Sequence, residues 1–145
     1  MIYADNAATT RLDAEAFEAM KPYLLNDYSN PSQPYSFSRS SKKAIKDARQ
    51  VIAECIGAEP DEIYFTSGGT ESDNWAIKGT AMYGGQNRCV ITSEFEHHAV
   101  LHTMSALEKE GFTVTYLDVY EDGLVRTEDV EKAITDETCL VTIMY

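Results

Sequence analysis

Apolar and polar positions along the chain follow two rhythms, one after the other. Up to about residue 57 the spacing is helical. Asp13 stands where it can cap a helix whose apolar residues Phe17, Met20 and Leu24 recur at helical intervals. A polar, turn-rich stretch from Asn26 to Ser38, holding Pro31 and Pro34, predicts an exposed loop. A second amphipathic helix is predicted from about Ser40 to Ile56, with Ile45, Ala48, Ile52 and Cys55 along one face and charges on the other. Gly57 supplies its stop.

Beyond that point strand-like and helix-like patterns alternate. A short strand, Glu62 to Thr66, leads into Ser67-Gly68-Gly69-Thr70 and a helix through Ala76 and Ile77 to Gly84-Gly85. A strand from Arg88 to Thr92 leads through SEFEHH into a helix carrying Val100, Leu101, Met104 and Leu107, ended by Gly111. A third strand, Thr113 to Leu117, precedes a short helix capped by Thr127, and a fourth strand begins near Cys139. Strands alternating with helices predict an α/β fold with a mainly parallel sheet and right-handed crossovers. The chain ends on CLVTIMY, inside an apolar strand, whereas domains usually end in exposed polar segments. That ending leads us to expect a fragment.

Composition narrows the function classes. The 24 acidic residues outnumber 12 basic ones, for a net charge of −12, which argues against nucleic acid or an anionic membrane as partner. No apolar run approaches a membrane span, and MIYADNAATT lacks the basic and apolar regions of a secretory signal. Cys55, Cys89 and Cys139 are widely spaced, with no ligand-spaced Cys/His cluster, so no metal site is expected. Buried, inert thiols in a reducing compartment, the cytoplasm, are the expectation for all three.

Two loops carry candidate chemistry. In a parallel sheet the loops leaving the C-terminal strand ends gather on one edge, where ligands bind. Ser67-Gly68-Gly69-Thr70 joins a strand to a helix start. Glycines allow close backbone approach, Thr70 offers a hydroxyl, and the helix N-terminus offers unpaired N–H groups, so the segment reads as a phosphate cradle or as a plain capped turn. It lacks the lysine of a P-loop and the GxGxxG of a dinucleotide fold. Glu96-His97-His98 leaves the next strand. Adjacent residues rarely face one ion together, which disfavours metal binding by the two histidines. His98 reads as part of a solvated loop, whereas His97, beside a phosphate cradle, would frame a phosphorylated aromatic ligand.

In order along the chain, IYADNAATT, NPSQPYSFSR, EIYFTSGGTESDNWAIKG and ITSEFEHHAVL resemble segments of the cysteine desulfurases, in the class V aminotransferase group of fold type I pyridoxal-phosphate enzymes. The resemblance implies an N-terminal arm over residues 1–13 and the first part of a truncated large domain over 14–145. It implies that Gly69 and Thr70 bind the phosphate of pyridoxal 5'-phosphate and that His97 stacks on its ring and shares in proton transfer. Asp5 to Thr10 would lie near the active-site entrance at a homodimer interface. The implied reaction takes sulfur from L-cysteine, giving L-alanine and an enzyme persulfide that a sulfur-acceptor or scaffold protein receives for Fe–S cluster or thio-cofactor assembly.

The family's catalytic lysine, its mobile cysteine and the aspartate facing the ring nitrogen would lie beyond Tyr145, so the 145 residues alone are expected to be inactive. Without later strands, Ile63 to Thr66 would lack neighbours, and the chain would self-associate. Gln33, Tyr35 and Ser38 depart from the family's Ser, His and Gly, which bears on substrate preference or partner docking. Other class V enzymes (a selenocysteine lyase, a desulfinase, an aminotransferase) share the phosphate loop. A non-catalytic domain binding phosphate or a partner is the reading from outside the enzymes.

Overall fold

The computed structural model describes residues 2–83, 85 and 88–144; Gly84, at the predicted end of one helix, lies outside them. Two separately packed units, Met1–Tyr64 and Phe65–Tyr145, divide the chain.

The first unit is helical. Helix α1, Ala14–Leu25, starts as expected: Asp13 Oδ1 accepts the Glu15 and Ala16 N–H groups at 2.9 and 3.0 Å. Helix α2, Arg39–Ile56, ends at Gly57, whose φ of 70° places it in the left-handed region where glycine carries no steric cost. Between them the loop is fastened by hydroxyls. Ser41 Oγ donates to the Asp27 carbonyl at 2.6 Å, and Ser29 Oγ donates to the Phe37 carbonyl at 2.9 Å. Ser38 is 2 % exposed, with its Oγ 2.6 Å from the Gln33 carbonyl oxygen and 2.7 Å from that of Tyr35. Gln33, Tyr35 and Ser38 thus form one linked turn, closed by the Ser38 hydroxyl.

Two expectations fail in this unit. The α2 positions Ile45, Ala48, Ile52 and Cys55 are exposed, because the helix buries Ser41 and Ala53 instead. Cys55 is therefore not a buried thiol. The predicted strand Glu62 to Thr66 is also absent. Glu62 closes a 3-10 turn, Pro60–Glu62, and residues 63–66 run on without joining the sheet. A strand is defined by a ladder partner, and the pattern of one segment cannot supply the other.

The second unit has α/β architecture. Helix α3, Gly69–Tyr83, is followed by β1, Cys89–Ser93; helix α4, His98–Lys109, by β2, Thr113–Leu117; and helix α5, Thr127–Ala133, by β3, Thr138–Val141. The strands are parallel in the order β2-β1-β3. Central β1 is buried on both faces, as the middle strand of a parallel sheet must be. Val90 packs with Ile77 and Ala81 of α3, Val100, Met104 and Leu107 of α4, and Phe112. Thr127 proves to be the first residue of α5, and Arg126 takes the cap position.

Opposite Cys89 and Val90 stand Thr138 and Leu140, so Cys139 is an extra residue, a bulge. Consecutive strand residues ordinarily face opposite ways. Here Cys139 and Leu140 both pack on the core. The Cys139 thiol donates to the Cys89 carbonyl at 3.2 Å and is pushed above its ordinary value chiefly by burial. It is a half-buried sulfur, as is Cys89, and neither is the fully buried thiol expected.

Candidate active site

The site is built where α3 and α4 begin. Ser67 and Gly68 turn the chain into α3. Glu71 Oε2 accepts from the Ser67 N–H at 2.6 Å and the Ser67 hydroxyl at 2.7 Å, and these two bonds hold the Glu71 carboxyl below its ordinary value. A second tie joins Thr66 Oγ1 and Ser72 Oγ at 2.7 Å. The loop is thereby stapled across the helix start from both sides.

Those staples use Ser67 and leave other donors open. The first N–H groups of a helix have no intrahelical acceptor. Among the described residues the N–H groups of Gly69 and Thr70, and the Thr70 hydroxyl, have no hydrogen-bond partner. Neither Gly68 nor Gly69 has a positive φ, and a Cβ built on either meets no atom within 4 Å. Backbone conformation and packing therefore do not require glycine at either position. Both keep the space beside the helix start clear.

His97 is the N-cap of α4. Its Nδ1 accepts the Ala99 N–H at 3.1 Å, so Nδ1 is unprotonated and the ring proton of the neutral form sits on Nε2. The approach to His97 is fixed by Glu96, whose Oε1 accepts from Ser93 Oγ of β1 and from the Met144 N–H beyond β3, both at 2.7 Å. His98, expected in a loop, is instead the first residue of α4, because the His97 cap starts the helix there.

Thr70 and His97 line one pocket of about 420 Å³, with Asn74, Lys78, His98, Ala99, His102 and Thr103. Gly69 stands one residue back and is not part of its lining. Asn74 ties the two helices together. Its Nδ2 donates to the Thr70 carbonyl at 2.9 Å, and its Oδ1 lies 2.8 Å from the buried Thr103 hydroxyl of α4, which also reaches the Ala99 carbonyl at 2.7 Å. Sequence reasoning missed Asn74. Its position one turn after Thr70 was visible, but its bond to Thr103 is tertiary. Among the described residues no group of three or more His, Cys, Asp or Glu side chains is placed to hold a metal ion.

The profile of the aminotransferase class-V family matches residues 2–145. The chain belongs to that family. This class-V chain is 51% identical over 146 residues to cysteine desulfurase IscS of Clostridium botulinum, covering 99% of this chain and 36% of the relative. Among solved structures it is similar to a NifS-like protein, with a TM-score of 0.91, 39% identity, and coverage of 97% of this chain and 39% of that one. It is similar also to SspA in complex with cysteine, with a TM-score of 0.90, 43% identity, and coverage of 97% and 41%. The class-V chain thus spans little more than a third of the length of the curated relatives it matches.

Proposed function

We propose that this chain carries the phosphate-binding part of the pyridoxal-phosphate site of a cysteine desulfurase. The observation that supports the reading best is the convergence of Thr70 and His97, from two different helix starts, on one pocket. The donor set suits a phosphorylated aromatic ring: two open N–H groups, a hydroxyl, the nearby Lys78 cation and an imidazole.

In this reading Gly69 and Thr70 hold the phosphate through backbone N–H groups and the Thr70 hydroxyl, and His97 stacks on the ring. Pyridoxal phosphate, when bound, supplies the electron sink for breaking bonds at the substrate's α-carbon. The chain's own residues position and exchange protons. With Nδ1 engaged by Ala99, the neutral His97 ring presents Nε2–H to the pocket as a hydrogen-bond donor, and it takes up and passes on a proton only when the Ala99 cap opens and frees Nδ1. Asn74 sets the spacing between Thr70 and α4 and is a positioning residue. The substrate is L-cysteine, the products are L-alanine and a protein-bound sulfane sulfur, and the whole protein works as a homodimer that passes sulfur to an acceptor protein.

The test is made on the whole protein of which this chain is part. Supplied with pyridoxal phosphate and L-cysteine it should release L-alanine, one for each sulfur transferred to an acceptor thiol. Thr70→Ala removes one hydroxyl bond to a charged phosphate, worth about 1.5–3 kcal/mol, so cofactor affinity should fall roughly tenfold or more. Equal cofactor occupancy of wild type and variant at limiting cofactor would refute the assignment. His97→Ala should alter the visible absorption of the bound cofactor and lower turnover, whereas His98→Ala should do neither.

A further inference from the structure

His98 and His102 occupy positions i and i+4 of α4, one above the other on a single helix face. Their ring centroids are 5.7 Å apart, tilted by 45°, and both rings are exposed and line the same pocket wall. Two imidazoles sharing one tetrahedral zinc, with nitrogens at about 2.0–2.1 Å, have ring centres roughly 5 Å apart. A small side-chain rotation therefore closes the pair on an ion. The same spacing sets two zinc-binding imidazoles on one helix face elsewhere. Among the described residues neither ring is held by a hydrogen bond or an ion pair, so closing on a metal breaks no existing bond. His97 differs, since its Nδ1 is spent on capping α4.

We infer that His98 and His102 form a two-imidazole chelate for a late transition-metal ion of the Zn2+ or Ni2+ type at the pocket rim, with water or a pocket ligand completing the coordination. Charge in the immediate surroundings does not drive this binding. Lys78 lines the same pocket, and the positive end of the α4 dipole is close by; both oppose a cation. Affinity therefore rests on coordinate bonds to imidazole nitrogen, which hard, oxygen-seeking Mg2+ does not form well. The pairing of His98 with His102 is a feature of α4 itself, so the inference does not rest on the pyridoxal-phosphate reading, and it is tested on protein without the cofactor.

The experiment is a calorimetric titration with Ni2+ of the whole protein of which this chain is part, repeated with Mg2+, and with far-UV circular dichroism on every variant. Wild type should bind one Ni2+ saturably and ignore Mg2+. His98→Gln and His102→Gln keep the helical surface but remove a ligand, and each should weaken binding roughly tenfold or more, given that outer-shell changes alone cost 10–100-fold. Cys55→Ser, which removes the exposed thiol, should leave Ni2+ binding unchanged. No saturable Ni2+ binding by wild type, Mg2+ binding of equal strength, or Ni2+ affinity within twofold of wild type in a folded His102→Gln variant would each overturn the proposal.

Discussion

Thr92 shows what a single residue costs and why its neighbours matter. It is 0 % exposed in β1, one residue from the strand's end, and its hydroxyl has no hydrogen-bond partner among the described residues. Leaving a buried hydroxyl unpaired costs about 1–3 kcal/mol, and valine has nearly the same shape. Thr92→Val should therefore raise stability by roughly 1 kcal/mol in urea denaturation; a loss would mean that the hydroxyl has a partner in solution. Asn74→Ala should act the other way, destabilising by about 1 kcal/mol, since Thr103 keeps the Ala99 carbonyl but the link from α3 to α4 is lost. At this scale the sequence was legible where chemistry is local. Gly69, Thr70 and His97 were singled out by a glycine-rich turn and by a histidine after a strand, and the structure brings Thr70 and His97 to one pocket with Gly69 outside its lining. Thr103 carried no signal, because its role depends on a helix that starts far away in the chain. Cys55 was misjudged for a related reason: an apolar pattern says which face could be covered, and not whether it is.

Elements were read best where their ends carry their own chemistry. The Asp13 cap and the Gly57 stop are written in adjacent residues, and both boundaries hold to within one position. Asp13→Ala should lower the stability of α1 by about 1 kcal/mol, measured as lost helicity in a thermal melt. The strand at 62–66 failed because strand pairing lies outside the segment. The start of α3 adds a pH dependence. Its Glu71 carboxyl is held below its ordinary value of 4.5 by Ser67. A depressed carboxyl contributes its stabilisation above that ordinary value and loses it as pH falls through the lower, folded one. The Ser67 amide resonance should therefore shift with a midpoint below 4.5, and Glu71→Gln should abolish the transition. A midpoint at or above 4.5 would show that the staple is absent in solution.

Over the whole molecule the apolar surface is unevenly covered. Phe17, Leu24 and Leu25 of α1 and Val51 and Ile56 of α2 are all exposed. So many large apolar side chains left in water favour covering them with another surface. The isolated chain should therefore associate, with light scattering giving a mass above the monomer and a hydrophobic dye binding strongly; a dye-silent monomer would contradict this. Within the sheet, the order β2-β1-β3 sets a timetable. Val90 of β1 meets Val114 on one side and Leu140 on the other. The second pairing closes a loop about twice as long, which costs roughly 0.6 kcal/mol more in chain entropy. It must also accommodate the bulge at Cys139. The β1–α4–β2 unit should therefore assemble first during refolding, with β3 arriving afterwards on a finished edge. Pulsed hydrogen exchange should find the β1–β2 ladder protected before the β1–β3 ladder, and simultaneous protection would mean that the three strands condense in one step.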